Sequence, residues 1–317
     1  MNWVFLILGL VLIIAGANFL TDGSAAVAKR FRVPEFIIGL TVIAIGTSTP
    51  ELVVSVLSAI AGKSDVAVGN VVGSNLFNVF VIVGICALIR PLPLTSGNVR
   101  RDIPFGMIGS LLLLFLACDR MLGIGDADRI DRLEGICMFV AYIVLMIYTV
   151  RHTERPAAEE SRETRPPMRM GLAAVMIVGG LGALVGGGEL FLDSATKIAR
   201  SLGVSESVIA ITLVAGGTSL PELASSVVSM LKGRAEMALG NVLGSNIANI
   251  LLILGVSATI HPLSLGSITP VDLSMVVLSS AVLFVSAFTF RQKSIDRAEG
   301  AIFLAVYIGY LVYLLSK

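Results

Sequence analysis

The stretch Gly46-Thr47-Ser48-Thr49-Pro50-Glu51 interrupts a long apolar run with a proline beside an ionisable carboxylate. The chain repeats it 171 residues later as Gly217-Thr218-Ser219-Leu220-Pro221-Glu222, again inside an apolar run. A charged residue at the depth of a bilayer is expensive and therefore marks a functional site by default. Two such residues at matching places predict a functional site that contains both Glu51 and Glu222.

The composition of the chain is that of a membrane protein. Of its 317 residues, 56% are hydrophobic and 14% are charged, whereas soluble domains are roughly 45–50% apolar and about 25% charged. The formal net charge of +1 provides no bulk attraction to nucleic acid. We therefore predict an integral membrane protein that contacts lipid, binds no nucleic acid and requires no evident protein partner.

The sequence contains ten apolar runs of the approximate length that crosses a bilayer as a helix, which is about 20 residues. The first is predicted to be a retained span and not a signal peptide, because no Lys or Arg precedes Ala15-Gly16-Ala17. The runs cover residues 2–20, 36–61, 66–89, 103–118, 133–150, 170–191, 207–231, 235–260, 272–290 and 298–315.

Basic residues concentrate on alternate loops, and this bias sets the predicted orientation. With the N-terminus outside, sixteen of the 23 Lys and Arg residues fall in predicted cytoplasmic loops and seven fall outside. The sequence therefore predicts a multi-pass protein of the cell (inner or plasma) membrane with both termini outside. The longest polar segment, residues 151–169, is predicted to be a flexible cytoplasmic linker.

The linker divides the chain into two halves that are internal repeats, residues 1–150 and 170–317. At the same offset of 171, Gly69-Asn70-Val71-Val72-Gly73-Ser74-Asn75 aligns with Gly240-Asn241-Val242-Leu243-Gly244-Ser245-Asn246. An odd number of spans in each half inverts the second half, and inverted repeats with interrupted helices are typical of secondary transporters. We predict an all-α protein with ten transmembrane helices in two inverted five-helix repeats, and with broken helices two and seven at the site.

The two prolines predict backbone oxygens that can bind a cation. Pro50 has no N–H and its ring displaces the carbonyl four residues earlier, so we expect carbonyls from Ala44 to Thr47 to lose helical partners. Pro221 is expected to do the same for Ala215 to Thr218. Together with the hydroxyls and carboxylates these are hard oxygen ligands, which suit Ca²⁺ with its roughly 6–8 oxygen neighbours. No His or Cys lies nearby, which argues against zinc or copper.

Polar residues of the third and eighth runs are expected to complete the ligand set. Ser74 and Asn78 are four residues apart and therefore share one helix face, and Ser245 and Asn249 repeat this spacing. An interhelical hydrogen bond is the alternative role for these side chains, and the sequence alone leaves both open.

The paired motifs resemble the two alpha-repeats of the calcium/cation antiporter superfamily, sodium/calcium exchanger type, in its compact prokaryotic form. The alpha-1 motif covers residues 39–79 and the alpha-2 motif covers residues 210–250. The resemblance implies that Glu51 and Glu222 are carboxylates shared by Ca²⁺ and Na⁺. It also implies further ligands by position. These are backbone carbonyls of Thr47, Thr218, Ala44 and Ala215, hydroxyls of Ser48, Ser219, Ser74 and Ser245 at Na⁺ sites, and the central Asn78 and Asn249.

One position separates the branches of this superfamily. Some relatives, including potassium-dependent ones, have an acidic residue where this chain has Asn249. The proton-coupled branch typically has a Gly-Asn-Ala-x-Glu motif, unlike the Gly-Thr-Ser-x-Pro-Glu found here. A Ca²⁺/H⁺ exchanger and a K⁺-dependent Na⁺/Ca²⁺ exchanger therefore remain the alternatives.

The sequence predicts an electrogenic secondary antiporter that exchanges Ca²⁺ for Na⁺ by alternating access and uses no cofactor besides the transported ions. A channel is disfavoured by inverted repeats with paired broken helices. An enzyme is not expected, because nothing in the sequence resembles a nucleophile–base pair or a metalloprotease motif.

Overall fold

A computed structural model of the chain describes residues 1–118, 128–153, 168–204, 215–289 and 293–316, and nearly all of them are helical. The helices are α1 (Asn2–Phe31), α2 (Glu35–Ile38), α3 (Ala44–Thr47), α4 (Thr49–Ile60), α5 (Ser64–Leu76), α6 (Gly84–Ile89), α7 (Ile103–Ala117), α8 (Arg132–His152), α9 (Met170–Ser201), α10 (Ala215–Gly217), α11 (Leu220–Leu231), α12 (Ala235–Ile247), α13 (Gly255–Ile260), α14 (Pro270–Ser286) and α15 (Arg297–Ser316). π-helical turns occupy Gly39–Ile43, Phe77–Val83, Asn98–Asp102 and Ala248–Leu254. The strands are β1 (Leu92–Pro93), β2 (Arg129–Ile130), β3 (Leu263–Ser264) and β4 (Ser294–Ile295).

Among the described residues, six helices are long and apolar enough to cross a membrane, and a bent pair adds a seventh. The multi-pass membrane protein predicted from the sequence is therefore supported. Predicted spans four, seven and nine correspond to the shorter helices α7, α11 and α14, of 15, 12 and 17 residues. Residues 207–214 of the predicted seventh span, and most of the predicted linker, lie outside the described residues. The count of ten spans stays a prediction.

Helices α1 and α9 are longer than the predicted first and sixth spans. The first was expected to end at residue 20 and continues to Phe31, and the sixth was expected to end at residue 191 and continues to Ser201. The polar residues in these extensions misled the hydropathy boundaries, because a helix propagates through polar residues once its apolar part is formed.

The motif at residues 46–51 bends its helix. Glu35–Thr47 and Thr49–Ile60 meet at an angle of 46°, and Ser48 between them has φ −80° and ψ 8°, outside the helical range. Pro50 lies in the first turn of α4, where its missing N–H costs no helical hydrogen bond. The proline therefore begins a new helix, and the preceding turn ends at Ser48.

Helices α1 and α9 pack against each other in antiparallel directions through glycines. A Cβ on Gly9 would lie 2.8 Å from the carbonyl oxygen of Gly187, and a Cβ on Gly23 would lie 2.8 Å from that of Ala173. Residue numbers rise along one helix as they fall along the other, so the two helices run in opposite directions. Small residues that let backbones approach are the usual contact between helices in lipid.

Two long helical spans form the centre of the molecule. In Ser64–Ile89 and Ala235–Ile260, 67% and 78% of the most apolar stretch is buried, whereas in α8 and α15 only 22% and 17% is buried. Exposed apolar side chains on the outer helices suit contact with lipid, which is as apolar as leucine. The polar motifs of both halves thus lie in the most protected part of the protein.

The halves contact each other in equivalent ways. A Cβ on Gly135 of α8 would lie 2.8 Å from the Gly255 carbonyl oxygen, and a Cβ on Gly300 of α15 would lie 2.8 Å from that of Gly84. Short antiparallel strands also join the two halves, because β1 pairs with β4 and β2 pairs with β3. Each of these four contacts joins one half to the other, so neither half packs by itself.

We predict that Gly180→Ala lowers stability while the neighbouring Gly179→Ala does not. A Cβ on Gly180 would lie 2.7 Å from Leu20 N and 2.8 Å from Gly16 O, but none of the described atoms comes within 4 Å of a Cβ on Gly179. Overpacking of this kind costs about 1–3 kcal/mol. Thermal unfolding in detergent should show a lower midpoint for Gly180→Ala only, and equal midpoints for the two variants would contradict the packing of α1 on α9.

Candidate cation-binding site

Two carboxylates are buried at the centre, and each is bonded by a hydroxyl from the opposite half. Glu51 and Glu222 are both 1% exposed, and each lies in the first turn after a break, where a helix N-terminus favours negative charge. Ser219 Oγ donates to Glu51 Oε1 at 3.1 Å, and Ser48 Oγ donates to Glu222 Oε1 at 2.8 Å. The structure thus brings the two predicted motifs together through crossed hydrogen bonds.

The serines of the central spans lie beside these carboxylates. Ser74 Oγ donates to Glu51 Oε1 at 3.4 Å, which is a long hydrogen bond. Ser245 is fully buried, and its hydroxyl lies near the Glu222 carboxyl. This hydroxyl forms no hydrogen bond with any residue that the structure describes. Both predicted serines therefore reach the site, with unequal contacts.

Two asparagines that were not among the predicted ligands hold the broken helices in place. Asn70 Nδ2 donates to the Glu51 backbone oxygen at 3.2 Å and to Ser55 Oγ at 3.0 Å. Asn241 Nδ2 likewise donates to the Glu222 backbone oxygen at 3.3 Å. Each asparagine therefore fixes the first turn that carries the carboxylate of its own half.

The threonines of the two motifs bond these asparagines across the halves. Thr47 Oγ1 donates to Asn241 Oδ1 at 3.3 Å, and Thr218 Oγ1 donates to Asn70 Oδ1 at 3.3 Å. Thr47 Oγ1 also contacts the Ile43 carbonyl at 3.0 Å. The threonine side chains are thus structural links between the broken helices and the central spans, while their carbonyls remain predicted ligands.

Asn78 and Asn249 lie in the two π-helical turns at equivalent positions, and their amides also cross between the halves. Asn78 Nδ2 donates to Asn246 Oδ1 at 3.0 Å, and Asn249 Nδ2 donates to Asn75 Oδ1 at 3.1 Å. In each bond the Nδ2 atom of Asn78 or Asn249 is the donor, so the Oδ1 atom of the same side chain points away from the partner asparagine. π-helical turns inside α-helices occur frequently at functional sites.

Besides the Ser245 hydroxyl, four carboxylate and amide oxygens of the site are buried without a hydrogen-bond partner among the described residues. They are Oε2 of Glu51, Oε2 of Glu222, Oδ1 of Asn78 and Oδ1 of Asn249. A buried acceptor without a partner costs about 1–3 kcal/mol, and more when it is charged. The four form two pairs related by the repeat, so their lack of partners recurs in both halves and is not a local defect.

The predicted role of the proline in freeing carbonyls needs one correction. The Ala44 carbonyl was expected to have no helical partner, but the Ser48 N–H donates to it at 3.0 Å. The turn at Ser48 keeps that N–H within reach, since the helix ends only after it. The Thr47 hydroxyl also lies 3.4 Å from the same oxygen, so the Ala44 carbonyl has two hydrogen-bond donors near it and stays a predicted ligand. Ala215, its counterpart, begins α10, and its carbonyl stays a prediction.

The site offers oxygen atoms and little else. Within the parts of the chain that the structure describes, no group of three or more His, Cys, Asp or Glu side chains could hold a metal ion. Two carboxylates, amide oxygens and hydroxyls are hard ligands that suit Na⁺ or Ca²⁺ better than transition metals.

Four asparagines in the central spans were missed as functional residues, although their motif was recognised. Their regular recurrence at the 171-residue offset was the available signal, because buried amides in an apolar span need partners. The four are Asn70, Asn75, Asn241 and Asn246.

The chain belongs to a family of cation exchangers in membranes. The family described as "Sodium/calcium exchanger protein" matches residues 1–151 and 172–316. This match covers most of the chain and both halves, so the protein is a member of the sodium/calcium exchanger family and the resemblance in the sequence is confirmed.

Relatives and solved structures agree with this assignment. The sodium/calcium exchanger MaX1 of Methanosarcina acetivorans is 32% identical over 344 aligned positions, which cover 99% of this chain and 98% of the relative. The inner membrane protein YrbG of Escherichia coli is 32% identical, with 98% and 95% covered. The structure of the sodium-calcium exchanger NCX_Mj, soaked with 10 mM Na⁺ and zero Ca²⁺, superposes with a TM-score of 0.84 at 31% identity, and 98% of each chain is covered.

We predict that Asn241→Ala destabilises the protein more than Asn70→Ala. Asn241 Nδ2 also contacts Ser225 Oγ and Ser226 Oγ, both at 2.9 Å, and its side chain is 1% exposed, whereas Asn70 is only partly buried. Each buried partner left unsatisfied costs about 1–3 kcal/mol. Thermal unfolding midpoints of both variants measure the difference, and an equal or larger loss in Asn70→Ala would contradict it.

Proposed function

We propose that the protein exchanges Ca²⁺ for Na⁺ across a membrane by alternating access, with Glu51 and Glu222 as the shared carboxylates. The observation that supports this most is the set of four buried, unpartnered oxygens from these glutamates and from Asn78 and Asn249. A cation that binds them would satisfy all four at once. The family to which the chain belongs, and relatives described as sodium/calcium exchangers, agree with this choice of ions.

The charge of the site explains why transport would be an exchange. Glu51 and Glu222 are near enough to interact electrostatically, and two like charges in a medium of low dielectric constant are costly. One Ca²⁺ neutralises both, and Na⁺ ions compete for the same oxygens. Occupancy by one kind of ion then excludes the other, and the unloaded, charged site cannot cross between the two states at low cost.

The remaining ligands follow from the geometry and the resemblance. We propose that Ser48 and Ser74, with their counterparts, give hydroxyl oxygens to Na⁺, because each is at the carboxylates or beside them. Backbone carbonyls would complete the shell of each ion. The residues in these proposed roles are Ser48, Ser219, Ser74 and Ser245 as hydroxyl ligands, and Ala44, Thr47, Ala215 and Thr218 as carbonyl ligands.

The proposed architecture is ten transmembrane helices in two inverted repeats, residues 1–150 and 170–317, joined by a cytoplasmic linker at 151–169. Broken helices two and seven would face each other at the site. Support comes from the antiparallel packing of α1 on α9 and from the reciprocal contacts between the halves. The distribution of basic residues supports a cell-membrane protein with both termini outside.

Replacing both carboxylates should abolish exchange. In proteoliposomes loaded with Na⁺, Ca²⁺ uptake by Glu51→Gln with Glu222→Gln is expected to fall to the level of protein-free vesicles, because the neutral amides remove both site charges. Glu189→Gln is the matched control: it removes one exposed carboxylate of α9 and should keep the original rate. Uptake at the original rate by the double variant would disprove the site assignment.

Coupling to Na⁺ should be distinguishable from coupling to H⁺ or K⁺. We expect an outward Na⁺ gradient to drive Ca²⁺ uptake without K⁺ on either side. A pH gradient without Na⁺ should drive none, because the motif Gly-Thr-Ser-x-Pro-Glu differs from the Gly-Asn-Ala-x-Glu motif typical of the proton-coupled branch. K⁺ should not be required, because Asn249 adds no third carboxylate. Uptake driven by the pH gradient alone would select the Ca²⁺/H⁺ exchanger, and uptake that requires K⁺ would select the K⁺-dependent type.

A further inference from the structure

A cluster of charges joins α1 to the loop that follows α11. Lys232 Nζ lies 2.8 Å from Asp22 Oδ1, and an Arg234 guanidinium nitrogen lies 3.8 Å from the same oxygen. The two cations also bond the backbone of α1, Lys232 to the Asn18 carbonyl at 3.3 Å and Arg234 to the Thr21 carbonyl at 3.1 Å. The loop is therefore fastened to α1 at several points between Asn18 and Asp22.

Beneath these charges the two helices are sealed by a buried contact. The hydroxyls of Thr21 and Ser229, both 0% exposed, are 3.4 Å apart. Val228 of α11 belongs to the same apolar cluster as Ile13 and Leu20 of α1. Thr21 and Ser229 are therefore shielded from water where α1 meets α11, on the side of the molecule that the basic residues predict to be cytoplasmic.

The equivalent residues of the other half are not joined in this way. Asp22 corresponds to Asp193 and Arg234 corresponds to Lys63, at the 171-residue offset. Asp193 instead pairs with Lys197 of its own helix at 2.6 Å, where both side chains are more than half exposed. Lys63 is exposed and forms no ion pair with any residue that the structure describes. Nor does α9 pack along α4 as α1 packs along α11, within the same described residues.

In alternating access, the two halves of an inverted repeat have related sequences but adopt different arrangements at any one time, so that only one side of the site is open. We propose that Asp22 with Lys232 and Arg234 is a latch that holds the predicted cytoplasmic side closed, and that Asp193 with Lys63 is its counterpart on the other side. When one latch forms the other is open. This inference rests on the alternating access of the proposed function and names the residues that set its balance.

The strength of the latch suits a reversible switch. Asp22 and Lys232 are 40% and 25% exposed, so their ion pair is partly screened and weak, unlike a fully buried pair. The two latches are also unequal, because the position of Lys232 is taken by Ala61 in the other half. On the closed side two cations, Lys232 and Arg234, face Asp22, whereas on the other side Lys63 alone would face Asp193. The chain is thus biased toward the closed cytoplasmic side that the structure displays.

Two cysteine reporters test this in the full chain. Ser229→Cys reports on the α1–α11 contact, and Ser58→Cys is at the equivalent position of α4; both are made with Cys137→Ser, which removes the exposed native thiol. Labelling by a hydrophilic maleimide is measured in detergent, in separate samples with Na⁺ and with Ca²⁺, because the loaded site can cross between the two states. In Asp22→Asn we expect labelling at position 229 to rise about two- to five-fold, the size of shift that a partly exposed ion pair supplies. Labelling at position 58 should fall by a smaller factor, because it reports on the more populated state.

A second variant, which adds a charge outside α1, tests the proposal without altering α1. Ala61→Lys supplies the missing second cation at an exposed position, leaves the first latch intact, and should also raise labelling at 229 and lower it at 58. The charge exchange Asp22→Lys with Lys232→Asp should restore the original labelling only in part, because Arg234 then faces a lysine in place of the aspartate. Loosening of local structure alone would raise labelling at 229 without changing position 58, and that result would overturn the proposal.

The labelling result tests the latch independently of which ions the protein transports. Labelling is read without transport, so a failure of Na⁺-driven Ca²⁺ uptake would leave the opposite movement of the two reporters standing. If uptake succeeds while Ala61→Lys changes neither reporter, the latch is wrong and the proposed exchange remains.

Discussion

The structure depends on the crossed hydrogen bonds to two buried carboxylates. Ser219 donates to Glu51 and Ser48 donates to Glu222, so the acid of each half is stabilised by a hydroxyl of the other. Two negative charges in an apolar interior would be costly in isolation. Both breaks must therefore face each other, which places the two motifs at the interface of the halves and leaves neither half able to build the site alone.

Close approach of backbones makes this arrangement sterically feasible. A Cβ on Gly240 would clash with the carbonyl oxygen of Phe36, and one on Gly244 would clash with that of Leu40. The bent helix of the first half thus lies directly on α12 of the second. Asn70 and Asn241 then bond the backbone oxygens of Glu51 and Glu222, while the second oxygen of each glutamate has no hydrogen-bond partner among the described residues. The same device explains why a helix end can exist at bilayer depth.

Much of the fold and of the site could be predicted because the motifs that form the site occur twice in the sequence. The carboxylates, serines and central asparagines recur at one offset, and the structure brings the carboxylates together with Ser48, Ser219 and Ser74. Other features had no signal of that kind. The extension of α1 to Phe31 passes through residues that hydropathy treats as a loop, and the Ala44 carbonyl keeps a helical partner because Ser48 adopts a turn after it. Both depend on local geometry that composition does not encode.

The sequence by itself determined the membrane class, the repeated motifs and the oxygen chemistry of the site, because apolar length, offset and residue type are properties of the chain alone. Only the tertiary structure decided which oxygens are bonded and which are not. Thr47 finds Asn241, and Asn78 finds Asn246, across separations at which no local pattern selects a partner. It also decided which ion pairs form: Asp22 pairs with Lys232, whereas Asp193 pairs with Lys197 of its own helix, since two near-equivalent halves can share one sequence pattern and still occupy different arrangements.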